Sequence, residues 1–202
     1  YAKYGKVRSR SGMTATEAAR RILDNAGLRH IRIERVAGDL TDHYSPKEQV
    51  LRLSDTTIHS ESIAAIGVAA HECGHAIQHQ QGYAPLNIRS AIVPVANIGS
   101  TVAWPLILIG LLFTGNSSDL FINLGIICFS FAVIFQLVTL PVEFNASKRA
   151  IQVIGDADIL SEEEKVGARK VLTAAAMTYV ASLAVSIASL LRLILTVNRR
   201  RK

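Results

Sequence analysis

The sequence predicts a mainly α-helical membrane protein with a small β element, and three observations predict it. Two long stretches carry no charge, "IVPVANIGSTVAWPLILIGLLF" from Ile92 to Phe113 and "LFINLGIICFSFAVIFQLVTL" from Leu120 to Leu140. Each is about 22 residues, enough for a helix to cross a bilayer core of roughly 30 Å. A third run, "TAAAMTYVASLAVSIASLLRLILTV" from Thr173 to Val197, has small residues suited to close helix contact. Its single Arg192 lies near the end, where the side chain can snorkel. The alternative, a soluble bundle, would need uncharged runs of a length rarely tolerated in water.

The amino-terminal part reads differently. Thr14 and Glu17 have the spacing of a capping box, and Ala18, Ala19, Ile22, Leu23 and Ala26 follow at helical spacing before Gly27. A short amphipathic helix is expected. "HIRIERVAG" and "QVLRLS" then alternate apolar and polar residues around the polar turn "DHYSPKE", which predicts two or three short strands. Ser60 and Glu61 suit the opening of a second helix whose apolar residues continue to Gly82. Between the second and third spans the expectation is helix, acidic break and helix, with Pro141 opening the first of these. The resulting division is 1–91 at the membrane face, 92–140 as a transmembrane hairpin, 141–172 as helix and loop, and 173–202 as a transmembrane helix with a basic tail.

The net charge of +6 does not point to nucleic acid, because the cations flank apolar spans and gather in the tail "NRRRK". Anionic lipid headgroups are the expected counter-charge. With two cysteines, Cys73 and Cys128, there is neither a disulfide framework nor a paired-cysteine metal motif.

The second helix carries "HECGH". His71 and His75 are one turn apart on one face, so both imidazoles can reach a single ion. Glu72 points past that ion and can take a proton from an attacking water, then pass it to a leaving amine. Zinc suits imidazole donors and acidifies water at neutral pH. The preceding "SIAAIGVAA" is small and apolar, which makes this a packed helix, and a buried histidine pair wants a partner.

His79 lies too far along the helix to join the same ion, since eight residues span roughly 12 Å. It is expected at the surface or facing headgroups. The metzincin pattern is excluded by Gln78 and Gln81. A third ligand must then come from elsewhere, and crossing number chooses it. Asp119 follows one span, whereas Glu143 follows two and returns to the side of His71 and His75. Glu143 is therefore the expected third ligand, with Ser147 one turn beyond it. The competing role for Glu143 is an ion pair with Lys148 or Arg149 on a solvated face. His30, His43 and His59 lack ligand spacing, although a strand carrying His43 could line the cleft. Cys73 points about 200° around the helix from His71 and should be a packed thiol.

"AAHECGHAIQ", two apolar spans and then "LPVEFNASKRA" resemble the YugP-type neutral zinc metallopeptidase family of bacterial membranes. The similarity extends to "KVRSRSGMTATEAARRIL" and "DHYSPKEQVLRLS". The resemblance implies a zincin-like catalytic part and a membrane gluzincin. It also implies Zn2+ on His71, His75 and Glu143, with Glu72 as catalytic base, and a further span ahead of Tyr1. "EFNAS" is more distantly similar to the ExxxD segment of the HtpX and CAAX prenyl endopeptidase families, with Ser147 where those families carry aspartate.

The expected function is a membrane-embedded zinc endopeptidase acting on peptide bonds of membrane-associated or misfolded proteins. The alternative is a proteolytically silent zinc-binding scaffold or a subunit of a larger membrane complex. Lys3, Lys6, Arg8, Arg10, Lys148, Arg149, Lys165, Arg169 and Lys170 on the catalytic side point that face to the cytoplasm, against the basic tail. Peptide or membrane-protein substrates and membrane lipids are the expected partners, without nucleic acid.

Overall fold

The computed structural model describes residues 3–113 and 115–200. Helix α1, Ala15–Asn25, begins where the sequence expects it. Thr14 Oγ1 accepts the Glu17 amide at 3.2 Å, while Glu17 Oε2 accepts the Thr14 amide at 2.8 Å. That reciprocal pair satisfies two amides that no helical carbonyl can reach. Gly27 then takes φ of 73°, the left-handed conformation that ends a helix at little cost for glycine.

Three short strands follow: β1 Arg32–Val36, β2 His43–Ser45 and β3 Val50–Ser54. Strand β3 is central, parallel to β1 and antiparallel to β2. The sequence marks 42–48 as a turn, yet His43–Ser45 forms the edge strand. The Asp42 carboxylate accounts for this by holding the chain to β3: it accepts the Ser54 amide at 2.8 Å, the Ser54 hydroxyl at 2.9 Å and the Thr57 hydroxyl at 3.1 Å.

Helix α2, Ile63–Gln80, carries the histidines. Its N-cap is Ser62, two residues after the expected Ser60. Ser62 Oγ accepts the Ala65 amide at 3.1 Å, and Ser60 Oγ donates to Ser62 Oγ at 3.0 Å, so Ser60 supports the cap without being it. Cys73 is fully buried, as its angular position requires.

Three long helices complete the chain: α3 Ala84–Leu112, α4 Asn116–Asp156 and α5 Glu162–Arg200. All three are long and apolar enough to cross a membrane. Two expectations are corrected here. Pro141 does not open a helix but sits inside α4, because losing one backbone donor is tolerable in a long apolar helix. The third span is likewise the continuation of a helix that starts at Glu162, eleven residues before Thr173. Ser161 starts it by accepting the Glu164 amide at 3.3 Å, while Glu164 Oε2 accepts the Ser161 amide at 2.9 Å. Of the basic tail, Arg201 and Lys202 lie outside the described residues.

The chain divides into two compact units, residues 1–83 with 142–177, and residues 84–141 with 178–202. In the first, Ala18, Ala19 and Ile22 of α1, Leu51 and Leu53 of β3, and Ala69, Ala70 and Cys73 of α2 share one core with Ala150 and Ile154 of α4. In the second, glycines bring α3 and α4 backbones together. A Cβ on Gly99 would lie 2.8 Å from the Cys128 carbonyl oxygen, and one on Gly125 3.0 Å from that of Ala103. Such close approach is how helices associate where burial from water offers no drive. Ile98, Leu108, Ile127, Leu137 and Val185 point outward, as lipid-facing side chains should.

Candidate metal centre

The first unit gathers the chemistry. His71 and His75 lie on the same face of α2 with ring centroids 4.7 Å apart and planes nearly perpendicular at 87°. Glu143 of α4 is 3 % exposed, and its Oε2 lies 3.1 Å from His71 Nε2 and 3.6 Å from His75 Nε2. Two imidazole nitrogens and a carboxylate oxygen thus converge on one point from two helices.

The opposite ring nitrogens are already engaged. His75 Nδ1–H donates to Gln78 Oε1 at 3.0 Å, and His71 Nδ1 is 3.1 Å from Ser147 Oγ. With a proton on each Nδ1, both Nε2 lone pairs face the shared point, which is the tautomer a metal ligand needs. Ser147, marked in the sequence only as a departure from an aspartate, therefore touches His71 directly.

Gln78 ties the two helices together. It is fully buried, and its Nε2 donates to the Val142 carbonyl and to Asn145 Oδ1, each at 2.9 Å. Asn145 Oδ1 also accepts from Arg149 Nε at 2.7 Å, and Arg149 reaches back to Gln81 Oε1 at 2.6 Å. This chain of contacts leaves no pattern in the sequence beyond the absence of a metzincin glycine at 78. The available signal was helical spacing, since Gln78 follows His75 by three residues and shares its face.

Glu72 lies beside the histidines in the same volume. One oxygen of its carboxylate and one nitrogen each of His71 and His75 lie within 4.8 Å of one another, close enough for this trio also to hold an ion. Tyr44 N–H of edge strand β2 donates to Glu72 Oε2 at 3.0 Å. The sequence pointed to His43 at this edge, but His43 is exposed and its Nδ1 turns to the Thr41 carbonyl at 2.9 Å. Its neighbour's backbone reaches the site instead. His79 is exposed as expected, held by the Tyr44 hydroxyl at 3.1 Å from its Nδ1.

Electrostatics follow from burial. Burial pushes the Glu72 carboxyl above the usual carboxylate range, and the charges of His75 and His71 do not fully offset it. Burial works to lower His75, but the Glu143 hydrogen bond and the charges of Glu72 and Glu143 raise it. The Glu143 and Glu72 charges that raise His75 also favour a cation beside its Nε2, where a metal and a proton compete. Burial pushes the Cys73 thiol up, which makes it a packing residue and not a ligand.

The family described as "Putative neutral zinc metallopeptidase" matches residues 1–198. The chain belongs to this family. Among curated proteins, the chain is similar to "Putative membrane protease YugP" of Bacillus subtilis (strain 168), with 51% identity over 195 residues, 96% of this chain and 85% of that protein. No solved structure matches the chain. Membership makes Zn2+ the cofactor, and the similarity to a membrane protein together with three span-length apolar helices makes the membrane the location. The donors present fit the ion by type, because imidazoles oriented through Nδ1 and a buried carboxylate are groups that zinc takes.

Replacing Gln78 with leucine keeps the volume and removes the acceptor from His75 and the bonds to α4. Gln78→Leu should weaken zinc binding about 10- to 100-fold, the usual cost of losing a group that orients a ligand. A competitive chelator titration reads it, and unchanged affinity would mean that Gln78 only fills space.

Proposed function

We propose that this chain is a membrane-embedded zinc endopeptidase of the gluzincin type, in which His71, His75 and Glu143 hold the ion and Glu72 is the general base. The observation that carries the reading is the approach of one Glu143 oxygen to the Nε2 atoms of both histidines. The same arrangement supports a zincin-like catalytic part, with α2 packed beside a small sheet whose edge contributes Tyr44. Bound zinc would supply Lewis-acid polarisation of the scissile carbonyl and acidification of water.

The chain's own residues then have distinct tasks. Ser147 and Gln78 fix the rings, and Glu143 is fixed by its place in the core between α2 and α4. Tyr44 N–H holds Glu72 Oε2, which leaves Oε1 to take the proton from the attacking water. The raised Glu72 carboxyl suits a group that must gain that proton and then give it to the leaving amine. The substrates we infer are membrane-associated or misfolded membrane proteins, because a site on a chain with three span-length helices gives membrane-tethered peptides a higher effective concentration.

Detergent-purified protein should contain close to one zinc per chain by elemental analysis and should cleave an unfolded membrane-protein substrate. Stripping the metal with chelator should abolish cleavage, and stoichiometric zinc should restore it. Full zinc without hydrolysis of any unfolded membrane substrate would support the scaffold alternative, and absence of zinc after reconstitution would overturn the site.

A further inference from the structure

A cavity lies outside the histidine centre, on the same compact unit. It has a volume of about 350 Å³ and runs between α4 and α5. Phe144, Ile151, Leu172 and Ala176 give it apolar walls, and Lys148 and Arg169 add charge from the two sides. Among the described residues lining it there is no carboxylate. Neither Lys148 nor Arg169 has an ion-pair partner among the described residues, and both are exposed. Two unneutralised cations beside an apolar groove call for a ligand that is anionic at one end and hydrocarbon at the other.

Position narrows the class. Arg169 precedes the apolar run at Thr173 by four residues of one continuous helix, roughly 6 Å. Lys148 follows the run that ends at Leu140 by eight residues, roughly 12 Å. Arg169 therefore falls at the headgroup level of a bilayer whose hydrocarbon covers those runs, and the long side chain of Lys148 can reach down to the same level. The neighbouring hollow that shares Ile151 and Arg169 carries Asp156 and Glu162, and Lys165 there is paired with Glu162. A phosphate is repelled from that side and favoured on the Lys148 side.

We propose that the α4–α5 groove is a binding site for an anionic phospholipid, with its phosphate between Lys148 and Arg169 and an acyl chain along Phe144, Leu172 and Ala176. Ser147 lines the groove and touches His71, so the bound lipid borders the histidine centre. The site is separate from the zinc reading and stands or falls without it.

The test is native mass spectrometry of the full chain in detergent, titrated with phosphatidylglycerol or phosphatidylcholine. Wild type should retain phosphatidylglycerol about tenfold better than phosphatidylcholine, on the scale expected for two headgroup-level cations. Lys148→Gln with Arg169→Gln should erase that preference, with the thermal unfolding midpoint unchanged as the folding control. Thr173→Phe, at an exposed position on the groove wall, should displace the lipid while leaving both cations in place. Equal retention of the two lipids by wild type would overturn the proposal, as would an undiminished preference in the double variant. Release of the lipid by equimolar glycerol phosphate would make this a free-phosphate site, and release by an acidic peptide would make it a peptide site; either overturns the lipid assignment.

Discussion

Glu72→Gln will keep zinc and lose peptide hydrolysis by roughly 10³-fold, whereas His75→Ala and Glu143→Ala will lose both. The two classes separate because the roles proposed for these residues differ within the same small volume. His75 Nε2 and Glu143 Oε2 face one point from opposite helices, and removing either leaves the remaining donors too few to hold the ion. Glu72 lies on α2 beside that point, with one oxygen committed to the Tyr44 amide. Glutamine preserves that bond and the volume but cannot take up a proton. Elemental analysis and a peptide-cleavage assay on the same preparations read the two effects independently. Zinc loss in Glu72→Gln equal to that in His75→Ala would make Glu72 a ligand, and full activity would remove it from the reaction.

Part of this architecture was legible in the chain because it depends on period and length. Two histidines four residues apart share a helix face whatever surrounds them, and uncharged runs of this length have few places to go except a bilayer. Glu143 could be placed beside them by counting crossings, and it lies 3.1 Å from His71. What escaped the sequence depends on contacts that leave no pattern. The Tyr44 amide is a backbone donor on an edge strand, and any residue but proline would supply it. Pro141 read as a helix start because proline favours first turns, yet an apolar helix absorbs it, and this puts Glu143 on a continuous α4. Gln78 looked like a mere exclusion of another pattern, when its amide joins His75 to the backbone beside Glu143. The spacing of α2 from α4 was equally invisible, although one residue within the "HECGH" pattern sets it.

That residue is Gly74, and Gly74→Ala should lower zinc affinity by about 10²-fold while moving the unfolding midpoint far less. A Cβ on Gly74 would stand 2.7 Å from the Ala146 carbonyl oxygen and 3.3 Å from the Ala146 Cα, both of them backbone atoms that no rotamer change can clear. To admit it, α2 and α4 must separate by several tenths of an ångström, between His71 and His75 on one side and Glu143 on the other. Zinc tolerates bond-length errors of only about 0.2 Å, so a shift that the core can absorb is one that the ion cannot. Stability is pulled both ways: overpacking costs about 1–3 kcal/mol, but alanine in a helix interior is about 1 kcal/mol better than glycine. Gly67 supplies the contrast on the same helix, because its added Cβ would meet Ala168 Cβ at 3.6 Å, an ordinary contact. Gly67→Ala should therefore bind zinc like wild type, and adding Ala146→Gly to Gly74→Ala should not restore binding, since the obstruction is the carbonyl and not the side chain. A Gly74→Ala protein with wild-type zinc affinity would show that the two helices are not held at this distance, and that the approach of Glu143 to the histidines does not depend on a glycine between them.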